Sequence, residues 1–388
     1  MAFFIGKDRE ARRAYGFDEV ALVPGQVTIN PDDAKINTSI GSLRLKIPFI
    51  ASAMDGVVDV GFAVQMSKLG GVAVLNSEGV HARYENSEEI LQKIVSSAAE
   101  EVTNLLQKIY KEPIKEKLLS KRIEQIKKKG GLAAISAIPK RATRYSQIAL
   151  EAGADLFFIQ STVTSVQHES SNYTSVDFAK ISKTVGKKMP LIIGNCVTYD
   201  AALALMETGA AAILVGIGPG AACTTRGVLG MGVPQVTATV DCAAARDFYF
   251  KKSGRYVSII TDGGMVTSGD ICKAFASGAD AVMIGSGLAK AKEAPGGGFH
   301  WGMAMPDRYL PRGTRIRVGT TASLSEILLG PATVDDGTQN LAGALRVAMG
   351  SLGARNIKEM QLVEIIIAPD IKSEGKVYQK AQKLGMGK

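Results

Sequence analysis

The stretch MPLIIGNCVTYDAALALMETGAAAILVGI, residues 189–217, places two continuous apolar runs, MPLIIGN and AAILVGI, on either side of a helical pattern. Runs of this kind, apolar at successive positions rather than at alternate ones, read as strands buried on both faces, the arrangement of a parallel sheet with helical crossovers. Working outward, the same unit recurs as KIPFIAS (46–52), GVAVLN (71–76), LAAISAI (132–138) and DLFFIQS (155–161), then as YVSIITDGG (256–264) and DAVMIGS (280–286). EAGADLFFI, ETGAAAILV and ASGADAVMI each set a helix-ending glycine just before a strand, an internal echo of one repeated junction. Eight such units predict an α/β fold, a (β/α)8 TIM barrel, with residues 1–388 forming a single domain.

Two segments break the alternation. Between residues 81 and 130, Ile90, Leu91, Ile94, Val95, Ala98, Val102, Leu105, Leu106 and Ile109 recur at helical spacing until Pro113 ends the pattern. This predicts one long amphipathic helix and a shorter basic one, inserted between the second and third strands. After the eighth strand, APGGGFHWGMAMPDRYLPRG (294–313) has no period. A long irregular segment above the carboxyl ends of barrel strands reads as a lid.

Composition narrows the classes of function. With 388 residues and 46% hydrophobic content the chain buries a large core, and no run approaches the roughly eighteen apolar residues of a membrane span. The N-terminus MAFFIGKDRE lacks the apolar centre of a secretory signal, so a cytoplasmic protein without a membrane partner is expected. Four cysteines without a Cys-x-x-Cys pair, and three histidines, signal neither a disulfide framework nor zinc. The net charge of +9 is concentrated in Lys108–Lys129 with no interleaved aromatics, which points to a solvated helical face and not to nucleic acid.

Barrel chemistry sits just after each strand. After the sixth comes GIGPGAACTTR (216–226), whose small residues let backbone groups approach a ligand and whose Cys223 stands as an exposed candidate nucleophile. Cys196, Cys242 and Cys272 read as buried apolar side chains. Asp262-Gly263-Gly264 and Gly285-Ser286-Gly287 follow the seventh and eighth strands, where barrels commonly hold phosphate on loop amides. Asp262 is placed to accept hydrogen bonds from ribose hydroxyls, or to cap the next helix.

FDEVALVP near residue 17, SAMD (52–55), GN (194–195), GIGPGAACTTRGVLGMGVPQ (216–235), TDGG (261–264), SGDICKAFASGADAVMIGS (268–286) and DRY (307–309) together resemble, in order, the blocks of the IMP dehydrogenase and GMP reductase family. The resemblance implies a short member in which the helical segment 81–130 occupies the slot of the regulatory CBS modules, and in which residues 290–325 are a mobile active-site flap on the catalytic barrel. It implies that Cys223 attacks C2 of IMP, that hydride passes to NAD, and that water hydrolyses the covalent adduct to XMP in guanine nucleotide synthesis. Arg308 and Tyr309 of the flap would activate that water, with Thr225 assisting. Ser52, Met54, Asp262, Gly264, Gly285, Ser286, Gly302 and Met303 would bind the nucleotide. Asn195, Gln160, Gly216 and Gly218 would meet the cofactor, and the backbone carbonyls of Gly218, Gly220 and Cys223 would form part of a potassium site. A homotetramer or octamer is the usual family assembly.

Departures from the family pattern are Ala221 for a phosphate-binding serine, His300 for a tyrosine, Leu214 for a basic residue, Gln160 for an aspartate, and Arg315 near the flap's usual glutamate or glutamine. Two alternatives stand beside the dehydrogenase: an NADPH-dependent GMP reductase, and a barrel that binds purine nucleotides without turnover.

Overall fold

All eight apolar runs form strands of one closed parallel barrel in the computed structural model, which describes residues 2–171, 175–302 and 313–385. The strands are β1 (Phe49–Ala51), β2 (Val72–Asn76), β3 (Ala134–Ala137), β4 (Leu156–Gln160), β5 (Leu191–Cys196), β6 (Ala212–Val215), β7 (Ser258–Asp262) and β8 (Ala281–Ile284). Each pairs in parallel with the next, and β8 closes on β1 through Val282 with Phe49 and Ile284 with Ala51.

Side-chain parity along the strands separates two cores. Ile50, Val74, Phe158, Ile192, Leu214 and Met283 belong to the cluster that fills the lumen, which is stoppered by Ile40 and Leu45 of the hairpin Thr38–Ile40/Leu43–Leu45. Their strand neighbours Phe49, Leu75, Phe157, Ile193 and Ile259 belong to the larger core beneath the helices. Leu214 is thus a lumen residue, fully buried, and an apolar side chain is what that position requires. It packs so closely on β5 that a Cβ at Gly194 would lie 2.5 Å from the Leu214 Cβ. The β5–β6 register shifts between Gly194 and Cys196, which takes Asn195 out of the regular ladder at the mouth of the barrel.

The segment 81–130 holds three helices instead of the expected two: Ser87–Ser96, Val102–Ile109 and Glu116–Lys128. Ser97 takes an extended conformation and divides the long amphipathic pattern, with no glycine or proline to announce the break. Both halves keep their apolar faces on one small core, so the period persists across the kink. The basic helix is the longest of the three and packs between Val60–Lys68 and Pro139–Glu151, which makes it the barrel's own second outer helix. The segment after β8 is not wholly irregular either, since Phe299–Trp301 and Arg315–Arg317 pair as an antiparallel hairpin. No helix among the described residues is long and apolar enough to cross a membrane.

At the opposite end of the barrel, Asp280 is almost fully buried before β8. It accepts from Arg246 at 3.2 Å, Lys358 at 2.6 Å, Tyr256 at 2.8 Å and the Ile259 amide at 2.9 Å. Burial works to raise its carboxyl, but Arg246 and Lys358 outweigh it and hold the group below the ordinary carboxylate range. Its stabilisation is therefore complete above the unfolded-state value and is lost as pH falls through the folded one. Asp280→Ala takes away the buried carboxylate shared by Arg246, Lys358 and Tyr256, leaving Arg246 with Asp247 and the Gly278 carbonyl, and urea unfolding should show a loss of about 2–3 kcal/mol. An unchanged midpoint would contradict this role.

Candidate active site

The loop after β6 carries Cys223 into solvent, and the short helix Thr225–Leu229 follows it. The Cys223 thiol donates to Thr225 Oγ1 at 3.2 Å, and its amide donates to the Gly220 carbonyl at 3.0 Å. Arg226 pins the loop from behind, donating to the carbonyls of Ile217 at 3.3 Å and Val233 at 2.8 Å. Gly218 sits at φ +76°, and a Cβ there would lie 2.6 Å from Arg226 Cγ, so both conformation and space demand glycine. Arg226 closes the GIGPGAACTTR block, and its place there is the one local sign of this role.

Asp262 ends β7 and is held by two carboxamides from other strands. Asn195 Nδ2 of β5 donates to its Oδ2 at 2.8 Å, and Gln160 Nε2 of β4 reaches the same oxygen at 3.2 Å from across the mouth. Burial pushes this carboxyl up to about 6 against the lowering effect of Asn195. Gln235, unforeseen from the sequence, donates to the backbone carbonyls of Val215 at 2.7 Å and Asp262 at 3.1 Å, tying the ends of β6 and β7. Gly216 lies against this tie, where a Cβ would come within 2.5 Å of the Asp262 carbonyl.

The other expected residues gather around the same mouth. Gly263 and Gly264 pack under Pro219 of the cysteine loop, and Gly302 approaches Ala222 on that loop. A Cβ at Gly285 would lie 2.9 Å from Met54 Sδ and 3.5 Å from Ser52 Oγ, so these three share one wall. Ser286 Oγ meets His300 Nε2 at 3.0 Å, while His300 Nδ1 is buried without a partner. Burial lowers the His300 pKa, so its ring is neutral at pH 7 and adds no positive charge to this wall. Met303, Arg308 and Tyr309 lie outside the described residues.

The mouth thus combines an exposed thiol beside a hydroxyl, a carboxylate able to accept from a diol, and glycine turns whose backbone a ligand can approach closely. Among the described residues no three His, Cys, Asp or Glu side chains converge as a metal site, and the donors the cysteine loop offers are carbonyl oxygens, which suit a hard cation. Of the four cysteines, Cys223 is the exposed one; burial pushes Cys272 up to about 12, and hydrogen bonding to Cys196 together with burial raises Cys242 well above a free thiol. A disulfide reagent at neutral pH should therefore find one fast thiol per native chain and none in Cys223→Ser. A second thiol reacting at a similar rate would contradict this geometry.

The model of the IMP dehydrogenase / GMP reductase domain matches residues 14–373. An uncharacterized oxidoreductase of Mycolicibacterium smegmatis is 36% identical, over 94% of this chain and 99% of that protein. Inosine-5'-monophosphate dehydrogenase of Cryptosporidium parvum is 32% identical, over 89% of each chain. The crystal structure of an IMP dehydrogenase/GMP reductase-like protein from Corynebacterium glutamicum superposes with a TM-score of 0.88 at 35% identity, covering 94% of this chain and 97% of that one. The chain belongs to the IMP dehydrogenase / GMP reductase family.

Proposed function

We propose that the protein oxidises IMP to XMP with NAD, through a covalent adduct on Cys223. The observation that carries this reading is the exposed thiol, hydrogen-bonded to Thr225, on a loop packed against both the Asp262 turn and Gly302. Two features of the sequence favour the dehydrogenase over the GMP reductase: the Asp307-Arg308-Tyr309 run, and the curated dehydrogenases among the relatives.

In this reading Asp262 accepts the ribose hydroxyls, and the backbone at Gly264, Gly285 and Ser286 receives the phosphate, with the neutral His300 holding the Ser286 hydroxyl in place. Gly302 and Met303 border the base. Cys223 Sγ adds to C2 as the thiolate, its proton passing to solvent, and the hydrogen bond to Thr225 Oγ1 orients the sulfur. NAD, when bound, takes the hydride that leaves C2. Water then adds to the thioimidate carbon, with its proton passing toward Arg308 and Tyr309, and the thiolate departs to release XMP. The sum is IMP, NAD and water giving XMP, NADH and a proton. Asn195 and Gln160 order the cofactor side of the mouth through Asp262, and Gly216 and Gly218, closely backed by the Asp262 carbonyl and by Arg226, fix the loop backbone that would face the nicotinamide. The carbonyls of Gly218, Gly220 and Cys223 would hold a monovalent cation, and with it the loop's shape.

Incubation with IMP and NAD should raise absorbance at 340 nm, whereas incubation with GMP and NADPH should leave it unchanged. Activity only in the second mixture would establish the reductase, and nucleotide binding without either reaction would establish a binding barrel. Cys223→Ala should abolish turnover yet retain IMP, and an unimpaired rate would remove the nucleophile.

The Asp262 carboxyl, raised to about 6, accepts from two hydroxyls at once, and most strongly, when ionised, so IMP affinity should weaken as pH falls through that value. Calorimetric titration from pH 8 to pH 5 should show this in the native protein and a shallower profile in Asp262→Asn, where the substrate phosphate still titrates at about 6. Equal slopes in the two proteins would show that the carboxylate does not hold the ribose.

A further inference from the structure

The helical insertion and the hairpin after β8 share a core that neither has alone. Val80, Leu91, Ile94, Val102, Leu106, Ile109 and Tyr110 close around Trp301, apart from the two barrel cores. Trp301 is the chain's one tryptophan and is 1% exposed. Its indole Nε1 donates to the Tyr110 hydroxyl at 2.8 Å, and that hydroxyl in turn donates to Asp55 Oδ2, which also accepts the Val80 amide at 2.7 Å. Burial, followed by the neighbouring Asp55, raises the Tyr110 pKa well above that of a free phenol, which keeps the hydroxyl protonated and the direction of the chain defined. One buried relay therefore joins the SAMD motif after β1, the insertion, and the residue just before Gly302.

The second strand of the hairpin is held independently. Arg315 donates to the carbonyls of Ile94, Val95 at 3.1 Å and Ser97 at 2.9 Å, and its guanidinium stacks over Phe299 with 4.5 Å to the ring centre. These carbonyls close the C-terminal end of helix Ser87–Ser96, where orphan acceptors and the negative end of the helix dipole both favour a cation. A forked guanidinium serves three acceptors at once, which an ammonium does not do in the same geometry.

We infer that the insertion is a dock for the root of the segment 290–325, and that Tyr110, Trp301 and Arg315 are positioning residues for the reaction at Cys223. The two clamps grip both strands from which residues 303–312 depart and to which they return, and Gly302, next to Trp301, borders the cysteine loop at Ala222. This rests on the dehydrogenase reading for its consequence: a loosened root should slow hydrolysis of the adduct, the step assigned to Arg308 and Tyr309, and spare hydride transfer.

The single tryptophan reports the dock without any assay of activity. In Tyr110→Phe and in Arg315→Met, acrylamide quenching of Trp301 should rise, since losing one net hydrogen bond shifts an opening equilibrium by about three- to tenfold. Arg315→Lys should lie between Arg315→Met and the native protein. With IMP and NAD, rapid mixing should show an undiminished burst of NADH in both variants, a steady-state rate lowered about three- to tenfold, and more covalent adduct by intact mass. Arg315 is half-buried at the surface, so its variants keep the test if Tyr110→Phe does not fold. Native-like quenching in the Arg315 variants overturns the dock, and raised quenching with burst and steady state falling together overturns the positioning role. If the native protein forms neither NADH nor adduct, the dehydrogenase reading falls, and quenching alone still decides the dock.

Discussion

Closure of the parallel sheet between β8 and β1 is the constraint from which the site follows. An open sheet would leave two rows of unpaired backbone groups, whereas the closed ring pairs every strand on both sides and brings all eight carboxyl ends around one mouth. Only in that ring does Gln160 of β4 reach Asp262 of β7, three strands away, across an opening that the lumen side chains fill from below. The close fit of Leu214 on Gly194 and the shifted register beside it belong to the same constraint. The ring's small radius forces a side chain of β6 onto the backbone of β5, and Asn195 emerges from the ladder toward Asp262.

Around Asp262, competing terms leave a carboxyl poised near 6. Desolvation alone favours the protonated form, and the Asn195 amide restores part of the preference for charge. Neither amide donor is a cation, so the group is held without a formal countercharge, and a ligand that supplies hydroxyl donors adds to an incomplete shell. The Cys223 loop is built on the opposite plan. Its conformation is locked by Arg226 and Gly218 from behind, while the thiol itself is left in solvent with one hydroxyl partner among the described residues. A rigid backbone carrying an exposed sulfur suits attack on a bound ring, because the nucleophile need not be reordered when the substrate arrives.

The strands were legible because a parallel strand buried on both faces must be apolar at successive positions, and all eight runs carried that mark. That Cys223, Asp262, Gly285 and Ser286 gather at one mouth was legible because the residues just after each barrel strand come together there. What escaped reading depends on contacts between distant residues. Asp55, Tyr110 and Trp301 form one relay, yet nothing local marks any of them as partners. The break at Ser97 escaped because both helices keep one hydrophobic face toward the same core, so the period survives where the helix does not. Gln160 and Arg315, which stand out as departures when set against the family pattern, turn out to have definite partners: the first hydrogen-bonds Asp262, and the second closes a helix end.

The insertion shows why a departure of this kind comes with compensation. A pair of short helices has too little apolar surface to hold itself together, and isolated helices of this length are marginal in water. Leu91, Ile94, Leu106 and Ile109 supply one side of a core, and the largest piece of the other is Trp301, a residue of the hairpin. The insertion is therefore completed by the hairpin, and the hairpin, a two-stranded ribbon with three residues on each side, is equally unable to stand alone. Each supplies what the other lacks, and the polar groups that go into this core are chained, the Trp301 indole donating to the Tyr110 hydroxyl and that hydroxyl to the Asp55 carboxylate. An arrangement in which two marginal elements are stable only together ties the order of the hairpin, and with it the position of Gly302 beside the cysteine loop, to the packing of a segment far away in sequence.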